Sequence, residues 1–141
     1  MATVYGVNRT KALDPKSTNT IVGGLIGGKV RVMSDSYEAS SLASGSVIEV
    51  GHTLPVGATV LRVEVACDAL GSATIDVGDA DDTNRYLSAQ SVASAALLVN
   101  DETDGVGYTT DGTDDTQVII TTASASITGT LRVNIYYVFG D

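Results

Sequence analysis

The 141-residue sequence predicts an all-β fold, a single antiparallel β-sandwich domain. Three observations carry that expectation. Residues that favour strands and turns dominate, with 18 Val, 17 Thr and 15 Gly against only 3 Lys and 4 Glu for the surfaces of helices. Several stretches alternate apolar and polar side chains with a period of two, the pattern of a half-buried strand. Turn-forming residues recur between them at intervals of roughly ten positions, as in a sandwich or barrel. A domain of about 150 residues buries about 70% of its unfolded surface, so an ordinary core suffices without disulfides or metals.

The elements follow in order. Residues 1–20 are polar, contain Pro15 and keep no period, so they read as an extended basic arm, with the sandwich domain at 21–141. Residues 21–28, IVGGLIGG, are apolar but glycine-rich, which suits a flexible segment or a bulged strand. In KVRVM, Val30 and Val32 form one face; in SVIEV, Ile48 and Val50 do. The clearest strand is TVLRVEVAC, with Leu61, Val63, Val65 and Cys67 on one side and Arg62, Glu64 and Ala66 on the other. A turn at 68–72 and a strand at 73–77, with Ile75 and Val77 inward, suggest a hairpin with it. GDADDTN at 78–84 is a loop, Arg85–Leu87 a short strand, and 88–99 is either a helical turn or an irregular lead into a strand at Leu97–Val99. An acidic loop fills 100–116, with room for a short strand at Val106–Thr109. QVIITTA at 117–123 is a strand. The last strand runs from Thr130 to Phe139, with Leu131, Val133, Ile135, Tyr137 and Phe139 inward and Arg132, Asn134 and Tyr136 outward. With no helix long enough to cross over a parallel sheet, antiparallel pairing is expected.

The net charge is −9, which argues against nucleic-acid binding through a global basic field. The charge is uneven: residues 1–35 balance to +3 and residues 36–141 to −12. The opening MATVYGVNRTKALDP has no apolar stretch of signal-peptide length, and no run approaches the roughly 20 apolar residues of a membrane helix. The expectation is a chain made in the cytoplasm and kept soluble, with no membrane partner.

Chemistry-bearing constellations are scarce. Gly23, Gly28 and Lys29 fit G-x-x-x-x-G-K, but a phosphate loop needs Ser or Thr next, where this chain has Val30, and must open a helix rather than an alternating strand. Asp79, Asp81 and Asp82 lie in an acidic turn, yet the sixth and twelfth positions counted from Asp79 are Asn84 and Gln90, not the Gly and Glu of a calcium-binding EF-hand loop. That turn reads as a solvated one. His52 and Cys67 are the only residues of their kinds, too few for a structural zinc site. Cys67 shares an apolar strand face and reads as a small buried hydrophobe. No catalytic, cofactor-binding or metal residue is expected, and the protein is not expected to be an enzyme. Of the six tyrosines, Tyr136 is the outward one on the last strand, where an aromatic serves either a binding surface or a covered strand face.

Two stretches carry a resemblance. LRVEVACDALGSATIDVGDADDTNRYL at 61–87 and VIITTASASITGTLRVNIYYV near the C-terminus resemble segments of small structural proteins of tailed bacteriophages. Length and composition are similar to those of capsid cement, or decoration, proteins. The resemblance implies a jelly-roll-like β-sandwich sitting as a homodimer or homotrimer on the outer capsid surface, bound to the major capsid protein, with no catalytic residues. It covers roughly a third of the chain and leaves the basic arm unmatched. From charge and hydropathy, partner contacts are expected at Arg9, Lys11 and Lys16, against an acidic surface, and at Ile21, Val22, Leu25 and Ile26, which are too apolar to lie free. The rival reading is a receptor- or sugar-binding sandwich of a phage fibre or tail spike.

Overall fold

In the computed structural model the described residues are 3, 4, 11, 13 and 27–140. Eight strands build two four-stranded sheets: β1 Val30–Leu42, β2 Val47–Leu54, β3 Ala58–Cys67, β4 Thr74–Gly78, β5 Leu87–Ser91, β6 Ala96–Val99, β7 Thr116–Ala123 and β8 Ile127–Phe139. One sheet runs in the order β1-β8-β3-β6 and the other β2-β7-β4-β5, and every pairing is antiparallel. Strands equidistant from the middle of the chain are partners: β1 with β8, β2 with β7, β3 with β6, β4 with β5. The chain is a long hairpin rolled so that alternate pairs fall into opposite sheets, which is the jelly roll.

The alternation seen in the sequence builds the core. Leu131, Val133 and Ile135 of β8 meet Val63, Val65 and Cys67 of β3 in one sheet; Ile75, Val77, Val118 and Ile120 of β4 and β7 face them from the other. All but Cys67 are at most 2% exposed. Full burial of such a side chain contributes about 1.5–3 kcal/mol.

The structure completes the sequence reading in places and changes it in others. Val30 and Val32 do share one face, but it is the exposed one, because the register of β1 against β8 pairs Met33 with Ile135 and turns Met33 to the core. The polar stretch 34–42 continues β1 because β8 supplies backbone partners as far as Ile127. Leu61 turns outward because the β3–β8 register shifts between Val60 and Arg62, and the extra residue inverts the phase. The β3–β4 hairpin does not form: the turn after Cys67 carries the chain from one sheet to the other, and β4 pairs with β5 and β7. The ambiguous stretch 88–99 resolves into most of β5 and all of β6.

The roll also sorts the loops. Those after β2, β4 and β6 meet at one end, where the Gly57 N–H donates to the Thr110 carbonyl at 2.8 Å and the Asp101 N–H to the Tyr86 carbonyl at 3.1 Å. Those after β1, β3, β5 and β7 meet at the other, where the Leu70 N–H donates to the Val92 carbonyl at 2.8 Å. The chain enters β1 at the first, acidic end, since Val30 pairs with Val138 and Val138 with Thr59. Asp35 joins the edges of the two sheets: one carboxylate oxygen accepts the Gly51 N–H of β2 at 2.7 Å and the other the Ser36 N–H at 2.8 Å.

Candidate interaction surface

At the acidic end the turn after β4 is built around Asp79, which is only 2% exposed. Its carboxylate accepts the N–H groups of Asp81 and Asp82 at 3.0 and 2.9 Å and two guanidinium donors of Arg85, at 2.7 and 3.3 Å. The Arg85 guanidinium in turn lies 3.8 Å from the centre of the Tyr108 ring. Beneath it Tyr86 is fully buried, and burial pushes its phenol well above the ordinary range. The turn expected to be solvated is therefore a buried clamp that locks the β4–β5 loop to the loop after β6. An open cleft of about 420 Å³ lies beside it, lined by Asp79, Asp81, Tyr108, Asp111, Asp114 and Asp115. Among the described residues no group of three His, Cys, Asp or Glu side chains is placed to hold a metal ion.

The outer face of the β1-β8-β3-β6 sheet carries the second organised cluster. Pairing aligns Ser34, Asn134 and Glu64 in one row and Val32, Tyr136 and Arg62 in the next. Glu64 collects donors from both rows: Asn134 Nδ2, the Tyr136 hydroxyl and Arg62 Nε, each at 3.0 Å. Asn134 accepts from the Ser34 hydroxyl at 2.6 Å. The Asn134 amide, with Tyr136 and Arg62, holds the Glu64 carboxyl below the usual carboxylate range. The same bond raises the Tyr136 phenol. This face also exposes Val32, Leu97 and Val99.

The residues singled out in the sequence fall as follows. Arg9, Lys16, Ile21, Val22, Leu25 and Ile26 lie outside the described residues, and Lys11 is described as partly buried. Gly28 and Lys29 lead directly into strand β1 and not into a helix. His52 Nδ1 lies 2.8 Å from the Thr53 carbonyl at the exposed edge of β2. Cys67 sits in the core at the far end of β3, about 30 Å along the strand direction from the β2–β3 turn near His52. The two are not brought together. Burial pushes the Cys67 thiol up, the opposite of what a nucleophile needs. Tyr86 and Tyr137 are core, and Tyr136 is tied to Glu64, so no described cluster of tyrosines lies open for stacking.

Sequence reading missed Asp79–Arg85 and the Glu64 cluster. The first had a signal in the spacing of Asp79 and Arg85 around a tight turn. The second depends on the β3–β8 register, which joins residues 70 positions apart.

No protein-family model matches the chain, and no curated protein does. Solved structures do. A chain of the cyanophage Pam1 capsid asymmetric unit is 30% identical, with a TM-score of 0.68, over 81% of this chain and 87% of that one. A chain of the capsid of Ralstonia phage GP4 is 20% identical, with a TM-score of 0.66, over 81% and 86%. A chain of the acidic stable capsid of Helicobacter pylori bacteriophage KHP30 is 17% identical, with a TM-score of 0.60, over 79% and 89%. The last two share the fold. The identity and mutual coverage with the Pam1 chain go further, and the protein belongs with it to a family of bacteriophage capsid proteins, structural components of the virion.

Proposed function

We propose that this protein is a capsid cement protein: it binds the outer surface of the phage head and bridges neighbouring subunits of the major capsid protein. The observation that carries this reading is the match to a chain of the Pam1 capsid asymmetric unit over 81% of this chain and 87% of that one. The matched unit is a single small jelly roll, nearly equal in length to this protein. A protein that binds the assembled shell and not the separated subunits stabilises the shell by mass action. It needs a rigid domain, adhesive surfaces and no chemistry, and the tight clamp around Asp79 and the inert Cys67 fit that need.

In this reading residues 1–20 are an arm that reaches across a seam between coat subunits. Arg9, Lys11 and Lys16 dock on an acidic surface, and the apolar Ile21, Val22, Leu25 and Ile26 are covered by the coat or by a neighbouring copy. A fully extended arm of 20 residues spans up to roughly 65 Å. The test is stoichiometry on purified heads. Cement is present at hundreds of copies and is lost together with shell stability, whereas a fibre module is present at a few. Few copies, or heads of unchanged stability after its removal, would sink the cement reading.

A further inference from the structure

We infer that the outer face of the β1-β8-β3-β6 sheet is a self-complementary docking surface for a second copy of this chain, with Arg132 of each copy paired to Glu38 of the other. The first ground is charge. The outer face of this sheet carries Arg62 and Arg132 against Glu38 and Glu64, a neutral balance in a protein of net charge −9. The opposite sheet carries Glu49 and Asp76 with no Lys or Arg. The loops 79–86 and 100–115 hold nine acidic residues against Arg85. Two copies therefore repel through the acidic end and through the opposite sheet, and this neutral face is where they can approach.

The second ground is which charges are spent. Of the charges on this face, Glu64 is saturated by Asn134, Tyr136 and Arg62. Glu38 and Arg132 are both exposed, and neither makes a hydrogen bond or ion pair among the described residues. Both point outward: Glu38 pairs across the ladder with Thr130 and Ser36 with Arg132, so the two are diagonal neighbours on one face, about 7–8 Å apart. A two-fold axis in the plane of contact, midway between them, exchanges the two positions. It sets each Arg132 against the partner's Glu38 twice over, as an isologous interface requires.

The third ground is the apolar rim. Leu97, in the same cross-strand row as Arg132, is 61% exposed, and Val32 is 53% exposed. Burying these contributes the non-directional part of the attraction, while the two charge pairs set the register.

The inference concerns the isolated protein, so its failure leaves the capsid reading intact. The experiment is sedimentation of the full chain and its variants at low and moderate salt, each variant first checked for an unchanged melting curve. The parent should form dimers. Arg132→Glu and Glu38→Arg should each weaken association roughly tenfold or more, because two attractive pairs become two repulsive ones. Mixing the two single variants should restore association, and so should the double exchange within one chain, since both recreate opposite charges across the axis. A monomeric parent overturns the inference. So do single variants that associate like the parent, or weakened variants that neither mixing nor double exchange restores.

Discussion

Asp79 and Arg85 form a two-pronged ion pair across the β4–β5 turn, closing at 2.7 Å with the carboxylate almost wholly out of water. The same carboxylate caps two backbone N–H groups of its own turn, so one residue organises both the loop and the guanidinium. Removing one member of such a pair leaves an uncompensated charge in a poorly hydrated site. Asp79→Ala should therefore destabilise the fold by about 3–5 kcal/mol, read as a lower urea midpoint at unchanged slope. Asp82→Ala should cost far less, because Asp82 is only 4.0 Å from Arg85 and half-exposed. Equal costs would mean that burial is not what makes Asp79 matter.

Gly78 sits at the end of β4 directly beneath that turn. A Cβ at this position would collide with the backbone of Asp82 and Thr83, which has no room to retreat while Asp79 holds it. Gly78→Ala should cost about 1–3 kcal/mol and loosen the loop. Hydrogen exchange should show faster exchange at the Asp81 and Asp82 amides, while those of β8 stay protected. A thermally silent variant would show that the turn can shift as a unit.

Glu64 and Asp35 predict part of the acid response. Both carboxyls are held lower in the folded protein than their ordinary values of 4.5 and 3.8, Glu64 chiefly by Asn134 and Asp35 by the Gly51 and Ser36 amides. A group whose folded value is lowered contributes stability fully above its unfolded value. That contribution disappears as pH falls from there through the folded value. The parent should lose stability progressively below about pH 5. Glu64→Gln should start lower at neutral pH and fall less over the same window, as followed by urea midpoints. Parallel curves would remove Glu64 from the acid response.

Where the sequence could be read, it was because a side-chain pattern repeats within one strand. Leu131, Val133, Ile135 and Tyr137 announce both the strand and its inward face, and so do Ile75 with Val77. The reading weakens where backbone pairing decides. Ser34–Leu42 has no apolar alternation, yet it is a strand because β8 extends that far. Partner choice was not readable either: a strong strand, a turn and another strand look like a hairpin, whether or not the turn crosses between sheets, as it does after Cys67. The Glu64 cluster and the Glu38–Arg132 diagonal exist only once β1, β8 and β3 are in register, so no local pattern could foretell them.

Cys67 offers a check on the core. Its side chain is buried beside Leu131 and Ala96 in the ladder, and burial raises the thiol. The native thiol should resist a disulfide reagent at mildly alkaline pH and react fully in denaturant. Cys67→Ala should cost about 1–2 kcal/mol through lost packing. Rapid native modification would mean that the β3–β6 edge opens often.

Deletion of residues 2–18 separates folding from binding. Every core side chain among the described residues lies between Met33 and Val138, and the first strand begins at Val30. The truncated protein should therefore keep the cooperative unfolding of the full chain, with its melting temperature within a few degrees. The deletion removes Arg9, Lys11 and Lys16 together with Asp14, and so takes two positive charges from a protein that is otherwise strongly acidic. If the arm anchors the protein by charge, the truncated form should bind stripped phage heads more weakly, and the difference should shrink as salt screens the full-length protein's advantage. Binding measured by co-sedimentation with heads at low and moderate salt reads both effects. Undiminished decoration at both salt concentrations would remove the arm from the interface and leave the sheet faces to carry the contact with the coat.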